Sequence, residues 1–329
     1  MSEQGQTDAP DAPLVSVVVP TYNRPDVLPR AIESVAVQTY PNVELLVVDD
    51  HSPTLARESL DGSSADGFTR FECIRHERNR GGSAARNTGI EAAEGEFIAF
   101  LDDDDEWVEK KLERQVAAFE QGGDDIGLVY TGVRQVNGDG ETNAVKTPDV
   151  SGNVLEEMLC RNFIGTFSAV MVRADVVDRV GTPDERFPSW QDWEWYVRIA
   201  SESQFGAVPE PLVVRWNTFT DQISADFETK RDESYELMLE TYESLSRERF
   251  GDGFERKRRA FVTFELAQAA IQCREYGAAR QLLGRAIVQY PYVPAFYVFL
   301  GLVSLGRYSL EPIQRAKRMA VQASLDSSE

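Results

Sequence analysis

The chain has 329 residues, and its 34 Lys plus Arg stand against 55 Asp plus Glu for a formal charge of -21. That balance excludes a nucleic-acid binder, which needs a basic face for the phosphate backbone, while 42% hydrophobic and 27% charged residues exclude wholesale disorder. No run reaches the roughly 18 to 20 apolar residues of a membrane-spanning helix, residues 1–13 form a polar tail without a secretory pattern, and a cytoplasmic protein of two folded units is expected.

The elements follow in chain order. Val15 to Val19 is a β-branched run ending at Pro20, and Glu44 to Val48 is a second run ending at Asp49 and Asp50. Continuous apolar runs of this length read as strands buried on both faces. Between them Val27, Leu28, Ile32, Val35 and Ala36 recur at helical spacing within Pro25 to Gln38. A third strand is expected over Phe71 to Arg75, a helix over Gly82 to Ala93, and a fourth strand over Phe97 to Leu101 that runs into Asp102, Asp103, Asp104 and Asp105. A helix over Trp107 to Glu120 and an apolar stretch over Ile126 to Val133 come next, and Asn137 to Gly152 has the composition of a solvated loop. Phe167 to Val172 reads as a strand, Trp190 to Ser201 as a helix and Pro211 to Trp216 as the last strand.

This alternation predicts an α/β unit over residues 14–220, a mostly parallel sheet flanked by helices. Residues 221–329 carry only helical patterns, over Glu233 to Arg249 and Arg256 to Tyr276, and then a stretch from Tyr276 to Pro291 that resembles one tetratricopeptide hairpin. The apolar segment Tyr292 to Tyr308, flanked by Arg307, Arg315, Lys317 and Arg318, either closes the helical core or lies peripherally on an anionic membrane surface. Cys73, Cys160 and Cys273 have no metal-ligand spacing and read as free thiols. Only six of the 34 basic residues are Lys. A dispersed acidic surface of this kind suits a high-salt, halophilic cytoplasm, where screening shortens the reach of self-repulsion to ~3 Å at 1 M.

Ligands of open α/β sheets bind outside the carboxyl ends of the strands. Here those ends carry Thr21-Tyr22-Asn23, Asp49-Asp50-His51-Ser52 and the four aspartates, three polar clusters on one edge. Adjacent carboxylates repel by roughly 1 kcal/mol per pair at 4 Å in water unless a cation neutralises them. Their hard oxygens suit Mg²⁺ or Mn²⁺; the alternative is a solvated acidic turn at a helix N-terminus.

The ordered set Val17-Val18-Val19-Pro20-Thr21-Tyr22-Asn23-Arg24, Gln38-Thr39-Tyr40-Pro41-Asn42-Val43-Glu44, Val47-Val48-Asp49-Asp50-His51-Ser52, Asn79 to Gly89, Gly95-Glu96-Phe97 and Leu101 to Trp107 resembles the successive signatures of family 2 glycosyltransferases over about residues 14–120. The resemblance implies a GT-A (Rossmann-like) fold, a nucleotide-diphosphate sugar donor, a Mn²⁺ or Mg²⁺ cofactor and transfer with inversion. It puts Thr21, Tyr22 and Arg24 near the nucleoside, Asp50 on the base, Asp103 on the ribose or diphosphate, Asp104 on the metal with Asp102 completing the Asp-X-Asp frame, and Arg86 on the diphosphate. Arg86 is otherwise a helix residue paired with Glu91 or Glu94, and Tyr22 an aromatic closing the core.

A hydroxyl acceptor needs a carboxylate to take its proton. Gln191-Asp192 resembles the family's Glu-Asp segment with its first acid replaced, so Asp192 is the candidate base and Glu194 its rival, while Trp190, Trp193 and Trp195 either stack on sugar or pack the helix. No Gln-X-X-Arg-Trp follows, which implies one sugar per encounter, and Asn217 stands where many relatives have a His near the metal. The expected acceptor is a glycan, a glycolipid or a lipid-linked saccharide. A polyprenyl phosphate acceptor and a non-catalytic sugar-nucleotide-binding scaffold are the alternatives.

Overall fold

The computed structural model describes residues 12–60, 67–216 and 227–305. Most of the expected tail, the expected boundary at residues 220–221, Asn217 and the basic residues from Arg307 onward lie outside the described residues.

Strand β1 (Val15–Thr21), helix α1 (Leu28–Ala36), β2 (Val43–Asp49), β3 (Arg70–Arg75), α2 (Gly82–Ala92) and β4 (Phe97–Phe100) form the first half of a nine-stranded sheet. Here β3, β2, β1 and β4 lie side by side and parallel, with Thr21 level with Asp49. Every residue of β1, β2 and β4 is buried, which is why these strands read as unbroken apolar runs. Gly89 of α2 lies where a Cβ would come within 2.3 Å of Val18, so α2 sits directly on β1.

The second half changes direction. Next come β5 (Asp105–Trp107), α3 (Lys111–Gly122), β6 (Ile126–Val136), β7 (Thr142–Lys146), α4 (Leu155–Cys160), β8 (Val170–Arg173), α5 (Ala174–Val180), α6 (Gln191–Glu202) and β9 (Gln204–Trp216). The order across the sheet is β3-β2-β1-β4-β8-β6-β9-β5, with β7 also on β6; β8 runs antiparallel to both β4 and β6, so the sheet is mixed.

Three local expectations are corrected. The helix expected from Trp107 starts at Lys111, because Asp105 to Trp107 pair with Arg215 to Val213 of β9 and the Trp107 indole donates to the Ser168 carbonyl at 2.9 Å. The loop expected over Asn137 to Gly152 contains β7, closed on β6 by a turn in which Asn137 Oδ1 accepts from the Asp139 and Glu141 amides. Phe167 to Ala169 form a 3₁₀ turn before β8. The Gln38-Thr39 signature is structural: Gln38 accepts from the Leu112 amide and donates to the Val108 carbonyl, locking α1 to the start of α3.

Beyond the sheet lie α7 (Phe227–Thr229), a π-helical turn (Lys230–Ser234), α8 (Tyr235–Thr241), α9 (Glu243–Gln272, kinked at Gly251), α10 (Tyr276–Gln289) and α11 (Pro294–Ser304). They are pinned to the α/β unit. The Tyr242 hydroxyl donates to the Glu194 carbonyl and carboxylate, the Ser189 amide donates to Ser234, and Lys257 pairs with Glu156. Buried Arg258 ties α9 to the Met238 and Leu239 carbonyls and pairs with Glu255 at 2.7 Å. On α11 Phe296 and Val303 are buried whereas Tyr297 and Val298 are exposed, so only one stripe of this apolar segment is core. Among the described residues no helix is long and apolar enough to cross a membrane, and all three cysteines are free thiols.

Candidate active site

A cleft of about 770 Å³ opens at the carboxyl ends of the parallel strands, and Thr21, Tyr22, Arg24, Asp50, Arg86, Asp102, Asp103, Asp104 and Asp192 all line it. The backbone there is held in costly conformations. Three of the four described non-glycine residues with positive φ, Asn23 (53°), His51 (69°) and Trp190 (62°), lie just beyond β1, just beyond β2 and just before α6. Such conformations persist only where their surroundings enforce them, and they cluster at functional sites.

The two aspartates at the end of β2 do different things. Asp49 accepts from the Ser52 and Ala56 amides and pairs with Arg75 at 2.6 Å; although burial opposes it, these partners hold its carboxyl below the ordinary range. Asp49 therefore builds the loop. Asp50 faces the cleft and accepts from the amides of Arg80 (2.8 Å) and Gly81 (2.7 Å) and from His76 Nδ1 (2.7 Å), which knots β2 to the loop that opens α2.

The acidic tetrad is likewise divided. Asp103 accepts from Thr21 Oγ1 at 2.7 Å and from Arg24 at 2.9 Å, and burial pushes it up to about 6 against the pull of Arg24 and Thr21. Asp104 takes the same Arg24 nitrogen at 2.8 Å through Oδ2, while its Oδ1 accepts no hydrogen bond among the described residues. Asp102 pairs with Arg86. Asp105 turns into the protein, where it accepts from Ser168 at 2.6 Å and burial raises it well above the ordinary range. Two arginines and partial protonation thus relieve the repulsion expected of four adjacent carboxylates.

Arg86 is placed by α2, but its partner is Asp102 and not Glu91 or Glu94. Its guanidinium lies 4.3 Å from the centre of the Phe167 ring, and its buried Nε has no hydrogen-bond partner. Tyr22 is 48% exposed and stands at the cleft mouth, so it does not close the core.

The family resemblance implies a divalent cation, and the donor chemistry suits one. Asp104 offers an uncommitted hard oxygen beside Asp102, although no group of three or more His, Cys, Asp or Glu among the described residues forms a cage. Mg²⁺ and Mn²⁺ commonly bind in this way, through one or two carboxylates with substrate phosphates and water completing the shell.

Asp192 sits in the first turn of α6, just past the left-handed Trp190, with Oδ2 accepting from Asn162 Nδ2 at 2.8 Å. Burial pushes its carboxyl above the usual range, against the opposing effects of Asn162 and Arg86. Its rival Glu194 is committed elsewhere, to Arg198 at 2.6 Å and to Tyr242. Trp193 and Trp195 are buried and anchored through the Met158 and Gly181 carbonyls, and Trp190 and Trp193, which meet edge-on at 5.2 Å, both line the cleft. Sequence reasoning missed Asn162, Thr166, Lys230, Glu265 and Gln272, which also line the cleft. Glu265 had a legible signal, a carboxylate between buried Val262, Leu266 and Ala269 on α9.

A mixed sheet flanked by helices, with a cleft at the carboxyl ends of its parallel strands, is the arrangement of the GT-A fold. Residues 16–178 match the model of Glycosyl transferase family 2. The chain belongs to that family and is a glycosyltransferase. It is 27% identical over 217 residues to an uncharacterized glycosyltransferase of Haemophilus influenzae, covering 65% of this chain and 72% of that one. It is 43% identical over 105 residues to UDP-Glc:alpha-D-GlcNAc-diphosphoundecaprenol beta-1,3-glucosyltransferase WfgD of Escherichia coli, covering 32% of this chain and 40% of that one. The crystal structure of S. aureus TarS 1-349 in complex with UDP-GlcNAc shares the fold with a TM-score of 0.62 at 18% identity, over 96% of this chain and 92% of that one.

Proposed function

We propose that the protein moves one sugar from a nucleotide-diphosphate donor to a hydroxyl of a saccharide acceptor, with inversion at the anomeric carbon, in the synthesis of a cell-surface polysaccharide or glycolipid. The observation that carries this reading is the convergence of Asp50, Asp103, Asp104, Arg86 and Asp192 on one cleft.

In this reading Tyr22 and Asp50 hold the nucleoside, and Asp103, fixed by Thr21 and Arg24, orients the ribose or diphosphate. Asp104, with Asp102 beside it, would hold Mn²⁺ or Mg²⁺, which when bound offsets the charge of the diphosphate. Arg86, which lines the cleft beside Asp102, would offer its guanidinium to the charge that develops on the diphosphate as it departs. Asp192, oriented by Asn162, takes the acceptor proton as the acceptor oxygen bonds to the anomeric carbon. The bond from that carbon to the diphosphate oxygen breaks from the opposite face, its electron pair leaving with the nucleoside diphosphate. One displacement inverts.

A well-ordered base favours a hydroxyl acceptor over a polyprenyl phosphate, whose oxygen is already ionised. A lipid-linked saccharide acceptor draws support from the WfgD likeness, and UDP-sugars are the first donors to test in view of the TarS complex. Such an acceptor implies work at the inner membrane face, where the exposed stripe of α11 offers peripheral contact. The test is nucleoside diphosphate release from a UDP-sugar with Mn²⁺, followed by magnetic resonance of the new glycosidic linkage. An inverted anomer supports the reading; a retained one contradicts it.

A further inference from the structure

The cleft draws its lining from two parts of the chain. The strand ends and α2 supply Thr21, Asp50, Arg86 and Asp102 to Asp104, all within the family match over residues 16–178. Glu265 and Gln272 come from α9, beyond that match and beyond the sheet. The transfer step uses neither of them, so their place in the same cleft as the reacting groups has another reason.

Hydrogen bonds join α9 to the segment that opens α6. The Ser189 amide, one residue before Trp190, donates to Ser234 at 3.2 Å, and the Tyr235 hydroxyl shares a 2.8 Å hydrogen bond with Thr263, two residues before Glu265. Glu265 and Gln272 are seven residues apart in the unkinked part of α9, two turns along one face of the helix. Trp190 is partly buried and holds a left-handed backbone (φ 62°), which is a genuine outlier for so bulky a residue and marks a position that its surroundings enforce. Its ring is steadied edge-on by Trp193, whose indole is itself fixed by donating to the Met158 carbonyl at 2.6 Å. The cleft thus holds a braced aromatic ring, an exposed amide that both donates and accepts, and a carboxyl that burial pushes up to about 7, so that near neutrality it too is found in donating and accepting forms. A pyranose has the matching chemistry: a flat C–H face and a rim of hydroxyls, each both donor and acceptor.

We propose that Trp190, Glu265 and Gln272 form a subsite for the acceptor sugar, in which a neutral pyranose ring lies on the Trp190 indole and its hydroxyls meet Glu265 and Gln272. The helical region beyond the sheet then selects the acceptor, while the strand ends hold the donor. This rests on the proposed function only in taking the part of the cleft near Asp192 as the acceptor side. A sugar whose hydroxyls do not reach α9 is bound by the ring alone and is a poorer acceptor, because the buried polar groups facing it stay unpaired.

The test is saturation-transfer magnetic resonance, without donor or metal, on a panel of methyl α- and β-glycosides of the common hexoses and N-acetylhexosamines, with a tryptophan-fluorescence titration of each glycoside that binds. The full chain is compared with Trp190→Gly and Gln272→Ala, and thermal unfolding checks that each variant is folded. Glycine is at home at the left-handed position and Gln272 is exposed, so neither change removes a buried support of the backbone. At least one glycoside is expected to bind the unsubstituted chain, with its C–H protons on one ring face saturated most strongly. Trp190→Gly should abolish that binding, and Gln272→Ala should weaken it about three- to tenfold. Binding of no glycoside, or unchanged binding in a folded variant of either kind, overturns the proposal. Mn²⁺-dependent binding of UDP-sugars is measured on the same three proteins and should be equal in all of them; a fall in the variants would put these residues on the donor side and also overturn the proposal. Failure of donor binding in the unsubstituted chain counts against the proposed function and leaves the glycoside result to be judged by itself.

Discussion

Asp192 and Asn162 form a 2.8 Å hydrogen bond on the wall of the cleft, which ties a carboxylate in the first turn of α6 to a side-chain amide just beyond α4. The bond fixes one carboxylate oxygen and so aims the other. Asp192→Asn is expected to reduce turnover by about 10²-fold or more while leaving donor affinity unchanged, and Asn162→Ala to cost less. Steady-state kinetics with a donor-binding titration separate the two effects, and full activity in Asp192→Asn would remove the base from the account. Because burial raises the Asp192 carboxyl, and only its ionised form accepts a proton, the acid limb of kcat/KM should lie above the ordinary aspartate value of ~3.9.

Asp50 is as much a structural knot as a ligand. Asp50→Ala leaves the Arg80 and Gly81 amides and His76 without their acceptor. A loss of about 2 to 4 kcal/mol is expected in denaturant unfolding. An unchanged midpoint would show that the loop before α2 does not depend on it.

Gly89 permits the close approach of α2 to β1. A Cβ there would lie 2.3 Å from Val18 Cγ1, so Gly89→Ala must push the helix away and carry Arg86 with it. The expected cost is about 1 to 3 kcal/mol in stability, together with weaker donor binding. Retained stability and affinity would mean that α2 can slide without loss.

Glu265 gives the fold a pH dependence of known sign. Its carboxyl is raised to about 7 in the folded chain, so the native state holds this proton more tightly than the unfolded state does. Its contribution is fully present below the ordinary glutamate value of ~4.3 and declines as pH rises towards 7. Glu265→Gln should flatten that decline, and at pH 8 should leave the chain more stable by on the order of 2 kcal/mol. Parallel unfolding curves for the two proteins across this range would contradict it.

The parallel half of the sheet was legible because β1, β2 and β4 are buried on both faces and each runs directly into polar residues, so the strand-end candidates could be named before any coordinates. Strand β5 was not. Its three residues pair with β9, more than a hundred residues onward, and that pairing overrode an uninterrupted helical pattern from Trp107. The division of labour between Asp49 and Asp50, and among the four aspartates, depends on Arg75, Arg24, Arg86 and Ser168, which come from different elements. No local pattern records that. Lys230 and Glu265 reach the cleft from the π-helical turn and α9, and only the packing of the C-terminal helices on α4 and α6 brings them there.

The most direct measurement is isothermal titration of a panel of nucleotide-diphosphate sugars in Mn²⁺, on the unsubstituted chain and on Asp104→Ala. At least one donor should bind the unsubstituted chain, with affinity falling about tenfold or more when the metal is chelated or Asp104 is replaced. Failure of every donor to bind, or binding indifferent to both chelation and the substitution, would contradict a metal-assisted sugar-nucleotide site at the ends of β1, β2 and β4.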